Sequence, residues 1–260
     1  MSLVHAVTGS QVAEVVLDRP DARNALSIDM CRGIVTALGE VRSDAGARCV
    51  LLRGEGKVFC SGADFAAVSG PGGLEFLPAF EEMLDAVARF PLPVVAAIQG
   101  AALGGGLQLA TVCDFRIAAE DTRVGIPSAR IGIVVNFENV ERLVRLAGVA
   151  LAKEILMTAR TLTGAEAAAR GLVTRTVPAA DLESSARACA EEVAGLSPQS
   201  VQGAKTAIGL VERALTNARR THVGEVADVD DLVAAAYASE DLQEGLGAMT
   251  ERRPPRFGGC

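Results

Sequence analysis

The stretch Gly104-Gly105-Gly106-Leu107-Gln108-Leu109-Ala110 sets three glycines and an amide inside a long uncharged run. Glycine lacks a Cβ, so another group can approach its backbone closely. A helix that starts at such glycines presents unpaired N–H donors at its positive end. A second junction, Cys60-Ser61-Gly62-Ala63-Asp64, offers the same kind of exposable amide. Two N–H donors converging on one carbonyl oxygen would make an oxyanion hole for an enolate or tetrahedral species. The competing reading is that each glycine set only shapes a tight turn.

Other chemistries lack their residues. No G-x-G-x-x-G dinucleotide loop, G-x-x-x-x-G-K-[ST] phosphate loop or G-x-S-x-G nucleophile elbow occurs. The histidines, His5 and His222, both read as solvated side chains rather than members of a catalytic triad. Six scattered cysteines with no C-x-x-C pair argue against a disulfide framework or a structural metal site, and for reduced thiols in a cytoplasmic protein.

Lys and Arg number 25 against 32 Asp and Glu, for a net charge of −7. With aromatics at 3% and no tryptophan, nucleic-acid binding is not expected. An anionic small ligand remains compatible, because local backbone dipoles or one arginine can outweigh net charge. The N-terminus lacks the basic and apolar regions of a secretion signal. The charge-free run Phe90–Cys113 is long enough to raise the question of a membrane span. Pro91, Pro93, Gln99, Gly100 and the triple glycine break it, so it reads as a buried strand, a turn and a buried helix.

These junctions must be held by an ordered scaffold. Strands are expected at Val12–Leu17, Cys49–Arg53, Lys57–Cys60, Val94–Ile98, Phe115–Ala118 and Thr122–Ile126. Ser27 reads as the cap of an amphipathic helix reaching about Val41. A second helix is expected from about Leu74 to Phe90, after the loop Ser69–Gly73. Helical patterns then follow at Glu138–Leu146, Ala150–Thr158, Gly164–Arg170, Asp181–Gly195, Pro198–Ala218, Val223–Ala238 and Glu240–Arg252. One extended piece, Val173–Val177, interrupts them. The expected organisation is an α/β core over residues 1–195 and a helical region over 196–260.

Four ordered segments carry a family resemblance: Arg19-Pro20-Asp21-Ala22-Arg23-Asn24-Ala25-Leu26, Phe59–Phe65, Ile98–Gly106 followed by Cys113-Asp114, and Leu162–Val173. Together they resemble the enoyl-CoA hydratase/isomerase family of the crotonase superfamily over nearly the whole chain. The resemblance implies a spiral of repeated ββα units, a helical C-terminal trimerisation region, and a homotrimer or dimer of trimers. It implies an acyl-CoA or enoyl-CoA thioester as ligand, with coenzyme A part of the substrate and no separate cofactor or metal. The oxyanion donors would be the backbone N–H groups of Ala63 and Gly105. Ala22, Arg23, Ala63, Asp64 and Phe65 fall where the family contacts the coenzyme A moiety. Phe257 falls where a neighbouring subunit's phenylalanine covers the adenine, although the lysine that often follows it is glycine here.

The chain departs from the family's acid–base pattern. Two glutamates serve the hydratases; their positions hold Gln108 and Ser128 in this chain, and neither residue can act as a general base near neutral pH. A third position, aspartate in dienoyl-CoA isomerases, corresponds to Asn136, which alternatively caps a helix starting near Glu138. Glu138 is the carboxylate nearest to these positions in sequence; a solvated place in a first helical turn is its other reading. Isomerisation or decarboxylation of an acyl-CoA therefore fits better than ordinary hydration. A non-catalytic acyl-CoA binding or delivery protein is the alternative, and a ligand-free structural oligomer a remote third.

Overall fold

The structure is a computed structural model that describes residues 3–68, 73–219 and 223–258. Its strands run β1 (Val4–Val7), β2 (Val12–Leu17), β3 (Cys49–Gly54), β4 (Val94–Ile98), β5 (Ala101–Leu103), β6 (Phe115–Ala119), β7 (Arg123–Gly125), β8 (Thr161–Thr163) and β9 (Arg175–Val177). The helices before residue 160 are α1 (Ile28–Ser43), α2 (Phe65–Val68), α3 (Gly73–Ala88), α4 (Gly105–Thr111) and α5 (Phe137–Thr158). Those after it are α6 (Gly164–Ala169), α7 (Leu182–Ala194), α8 (Pro198–Arg219), α9 (Val223–Tyr237) and α10 (Glu240–Thr250).

One sheet has the order β1-β2-β3-β4-β6-β9, antiparallel at β1–β2 and parallel beyond. Strand alternation sends its side chains into two cores. Val50, Leu52, Val94, Ala96 and Ile98 face the core that also holds Met30 and Ile34 of α1 and Met83 and Leu84 of α3. Cys49, Leu51, Val95, Ala97 and Ile117 face Leu182, Ala186 and Ala190 of α7. With both faces covered, all five residues of β4 are buried, which accounts for its unbroken apolar run.

A smaller sheet, β5-β7-β8, forms a second layer. Isolated bridges from Cys60 to Ala102 and from Leu26 to Ala63 continue that layer back along the chain. Each circuit thus lays a strand in the larger sheet, a short segment in the smaller one, and then a helix. The sets β2–Leu26–α1, β3–(60–63)–α3 and β4–β5–α4 repeat this order. This is the ββα spiral that the resemblance implies. The uncharged run Phe90–Cys113 resolves into β4, β5 and α4 as a core segment. Among the described residues, no helix is long and apolar enough to cross a membrane.

Local chemistry sets the boundaries. Ser27 caps α1 by accepting from the Met30 N–H, as its position in sequence suggests. Thr163 and Glu166 form a reciprocal capping box at α6. The two helices expected at Glu138–Leu146 and Ala150–Thr158 are one run, α5, broken in direction at Gly148, where φ is 78° and ψ 160°. Lys57–Cys60 is not a strand. Only Cys60 bridges, and the Val58 carbonyl is taken by the Asn24 amide.

The C-terminal helices are tied to the core. Lys205 of α8 donates to Asp114 Oδ2 at 2.7 Å and to the Leu92 carbonyl at 2.9 Å. Leu242 and Leu246 of α10 enter the main core. A Cβ on Gly245 would lie 2.5 Å from Ile131 Cα, so α10 packs directly on the turn after β7. Of the cysteines, Cys31, Cys49, Cys60, Cys113 and Cys189 are free and buried, while Cys260 lies outside the described residues. Burial pushes the thiols of Cys31, Cys49, Cys60 and Cys113 up to about 12, which leaves them inert as nucleophiles.

Two contacts join the loop 19–26 and the segment 55–64 to the rest. Asn24 is fully buried in the left-handed region (φ 53°), which asparagine tolerates better than most residues. Its Oδ1 accepts from the Arg19 N–H at 2.9 Å, and its Nδ2 donates to the carbonyls of Glu55 and Val58 at 3.0 and 2.7 Å. Gly106 of α4 packs so closely that a Cβ there would stand 2.4 Å from the Cys60 carbonyl oxygen. Asn24→Ala strands three backbone groups, at about 1–3 kcal/mol each, so denaturant unfolding is expected to show a loss of about 3 kcal/mol or more. Gly106→Ala forces two backbones apart and is expected to cost about 1–3 kcal/mol in the same measurement. Parental stability in either variant would contradict these contacts.

Candidate active site

The segments 19–26, 61–65 and 103–108 converge with α3, the 3-10 turn Pro127–Arg130, the start of α5, α9 and α10 around a cavity of about 870 Å³. The first three are stitched together by main-chain bonds. Leu26 N–H donates to the Gly62 carbonyl at 2.8 Å, Asp64 N–H to the Leu26 carbonyl at 2.8 Å, and Ser61 N–H to the Arg23 carbonyl at 3.1 Å. Leu103 N–H donates to the Cys60 carbonyl, also at 3.1 Å. Gly62 adopts a φ of 109°, and a Cβ on it would lie 2.9 Å from the Leu103 carbonyl oxygen and 3.7 Å from the Gly105 nitrogen. Only a bare backbone fits there.

Ala63 and Gly105, both lining the cavity, stand out in this stitching. Gly104 N–H donates to the Gly125 carbonyl, and the N–H groups of Leu107 and Gln108 donate to the Gly104 carbonyl. Among the described residues, the N–H groups of Ala63 and Gly105 donate no hydrogen bond. Unpaired main-chain donors inside a protein are rare. Two on adjoining segments of one cavity wall can serve one oxygen atom of a ligand.

Gln108 of α4 lines the same cavity, 8% exposed, and its Oε1 is buried without a hydrogen-bond partner among the described residues. Ser128 lines the cavity from the 3-10 turn, where its carbonyl accepts from the N–H groups of Ile131 and Ile133. Both are therefore brought to the cavity that holds the two free N–H groups. An amide and an alcohol can orient a polar group there but cannot take a proton from carbon near neutral pH.

Asn136 also lines the cavity, and it does two things. Its Oδ1 caps α5 by accepting from the Asn139 N–H, and its Nδ2 donates to Glu81 Oε1 at 2.9 Å. Asn139 Nδ2 donates to the same oxygen at 2.9 Å. Arg142 stands 3.8 Å from Glu81 Oε2 and also bonds Asn139 Oδ1 and Asp85 Oδ1, at 2.9 and 3.1 Å. Burial pushes the Glu81 carboxyl above the ordinary carboxylate range; Arg142 and the two asparagine amides oppose that shift without cancelling it. Tyr237 of α9, lining the same wall, is pushed up to about 12 by burial and by the Glu81 charge.

Glu81 is the residue that sequence reasoning overlooked. Glu138, weighed both as a site carboxylate and as a first-turn helix residue, occupies the first turn of α5 and is not among the residues lining the cavity; Glu81 of α3 is. A signal existed: Glu81 falls four residues after Leu77 and three before Leu84, an acid set in an apolar helical stripe. Its partners lie 55 and 58 residues further along the chain, beyond the reach of local pattern.

Ala22, Arg23, Asp64 and Phe65 also line the cavity. Asp64 is ion-paired with Arg19. Arg23, in the left-handed region at φ 54°, and Arg130 are exposed cavity-lining arginines that form no ion pair among the described residues. Phe257 is exposed on the extended tail and does not line the cavity of its own chain. His5 is exposed and pairs loosely with Asp18 at 3.8 Å, and His222 lies outside the described residues. Among the described residues, no group of three or more His, Cys, Asp or Glu side chains could hold a metal ion.

Known proteins resemble this chain in sequence and fold. Residues 8–260 match the enoyl-CoA hydratase/isomerase family. The chain is 35% identical to the mitochondrial enoyl-CoA hydratase domain-containing protein 2 of Bos taurus, over 95% of this chain and 84% of that one. It is 33% identical to an enoyl-CoA isomerase/hydratase of Mycosarcoma maydis, over 95% and 93%. Among solved structures, methylmalonyl-CoA decarboxylase complexed with 2S-carboxypropyl CoA superposes with a TM-score of 0.89 at 26% identity, over 100% of this chain and 99% of that one. With its sequence and its fold in agreement, the chain belongs to the enoyl-CoA hydratase/isomerase family of the crotonase superfamily.

Proposed function

We propose that this protein binds an acyl-CoA thioester, polarises its carbonyl with the N–H groups of Ala63 and Gly105, and rearranges the acyl group through an enolate rather than hydrating it. The observation that carries this reading is the pair of unpartnered main-chain donors on adjoining segments of one cavity. As negative charge grows on the thioester oxygen, two fixed N–H dipoles stabilise it without having to reorganise. Arg23 and Arg130 offer cationic partners for the coenzyme A phosphates, and Ala22, Asp64 and Phe65 adjoin Arg23 on the same wall. Coenzyme A enters as part of the substrate, and the reaction needs no separate cofactor or metal. The relatives' names span hydratase, isomerase and decarboxylase, all reactions of acyl-CoA thioesters.

Hydration is disfavoured because the positions of the family's two glutamates hold Gln108 and Ser128. Water addition needs a base for the water and an acid for the α-carbon, and neither side chain supplies them. The same substitutions favour a second reading, an acyl-CoA binding or delivery protein without turnover. In both readings the C-terminal helices support a homotrimer or dimer of trimers, with Phe257 reaching a neighbouring subunit's ligand.

Calorimetric titration with butyryl-CoA and a longer acyl-CoA is expected to show saturable binding. Hydration of crotonyl-CoA, followed by loss of the conjugated thioester's ultraviolet absorbance, is expected to run at least about 10²–10⁴-fold below a competent hydratase, the usual cost of losing one proton carrier. Absence of binding at every chain length would overturn both readings. Hydration at a full hydratase rate would overturn the assignment of Gln108 and Ser128 as non-basic site residues.

A further inference from the structure

We propose that Glu81 is the proton carrier of this cavity, a catalytic carboxylate supplied by α3 and aimed by Asn136, Asn139 and Arg142 of α5. The proposal rests on the acyl-CoA reading above and adds the group that moves the proton.

Three observations support it. Glu81 lines the cavity that also holds the free Ala63 and Gly105 N–H groups. Its helix neighbour Phe80 reaches the oxyanion wall, since a Cβ on Gly105 would meet Phe80 Cε2 at 3.2 Å. The two carboxylate oxygens are also unequal. Oε1 accepts from both asparagine amides at 2.9 Å, while among the described residues Oε2 has only the Arg142 guanidinium, at 3.8 Å. One oxygen is thus anchored, and the other is left to exchange a proton.

The charged and titratable surroundings suit that task. Arg142 is the cation facing Glu81 from α5, and it is shared with Asp85 one turn along α3. Glu138 of α5 and Tyr237 of α9 are the other titratable groups close enough to couple to Glu81. Burial and the Glu138 charge favour the protonated form, and Arg142 with the two amides opposes them. The balance raises the carboxyl from its ordinary value, the direction that suits a group that both takes and returns a proton.

The step conserves atoms and electrons. The α-carbon–hydrogen bond breaks, the proton passes to Glu81 Oε2, and the bonding pair moves into the thioester carbonyl to form an enolate facing the two N–H groups. Return of the proton to the α-carbon restores the substrate. In a 3-enoyl thioester, return to the γ-carbon instead moves the double bond into conjugation, with no oxidant, reductant or water consumed.

The test reads proton transfer without presupposing the natural reaction. The full chain is incubated with butyryl-CoA in deuterium oxide, and deuterium entering the α-carbon is followed by mass spectrometry across pH, with butyryl-CoA affinity measured alongside. The parent is expected to exchange, with a rate that rises as Glu81 ionises, on a limb centred above the ordinary carboxylate range. Glu81→Gln keeps an acceptor for the asparagines and is expected to lose about 10²–10⁴-fold in exchange with affinity little changed. Glu81→Asp retracts the carboxylate by one methylene; it is expected to exchange more slowly yet keep the pH limb, which a purely structural residue would not control. Exchange by Glu81→Gln at the parental rate, or a limb that persists in it, would overturn the proposal. If Glu81→Gln does not bind, loss of the limb in Glu81→Asp overturns it. A parent that binds without exchanging would also overturn it while leaving the acyl-CoA reading in place, and a parent that does not bind would sink the earlier reading itself.

Discussion

Everything at the cavity depends on how closely two pieces of main chain approach each other. The Cys60–Ala63 segment and the start of α4 touch through Gly106 and the Cys60 carbonyl, and through Gly62 and the Leu103 carbonyl, at distances that admit no Cβ. That approach fixes where the Ala63 and Gly105 N–H groups stand relative to one another. It is enforced from outside by the larger sheet, which sets β3 beside β4 in register, so the segments that follow each strand emerge side by side. The glycines are thus a packing requirement, and the bare backbone that packing demands also lines the cavity.

The polar side chains around the cavity sit on two parts of the frame. Gln108 is carried by α4 itself, whereas Glu81, Asn136 and Asn139 depend on the contact between α3 and the first turn of α5. Asn136 shows how economical that contact is, capping α5 with its oxygen and holding the Glu81 carboxylate with its nitrogen. The carboxylate in turn raises the Tyr237 hydroxyl on α9, so a helix from the C-terminal region is electrostatically coupled to the cavity. Gly245 of α10 packs on the turn that bears Ser128. The C-terminal helices therefore contribute to the wall of the cavity.

How far the sequence discloses this depends on the range of the contact. Ser27 and Asn136 could be read as caps because a cap bonds three residues away. The buried β4 could be read from its apolar run, and the two glycine junctions from the need for bare backbone. Strands β5 and β8 were hidden: at three residues each, beside Gly100, Gly104 and Gly164, they carry too little pattern to separate from turns. The four-residue β1 escaped notice in the same way. Glu81 was hidden for the opposite reason. Its helix was plain and its place in an apolar stripe was a hint, but its partners come from α5, beyond the reach of local pattern. Proximity in sequence to the family's acid–base positions pointed instead to Glu138, which the start of α5 leaves off the cavity wall.

The unpartnered donors of Ala63 and Gly105 belong to the peptide backbone, which gives them an unusual genetic standing. No codon change except one to proline can delete such a hydrogen-bond donor. The groups at positions 81, 108, 128 and 136 are side chains, and any of them can be rewritten by a single substitution. The cavity thus separates an electrostatic element that sequence drift leaves in place from a set of replaceable functional groups around it. A scaffold partitioned in this way can change the side chains around its cavity while the two backbone donors stay fixed. It is therefore a natural starting point for directed evolution, with variation confined to those four positions and the segments 60–63 and 103–106 left untouched.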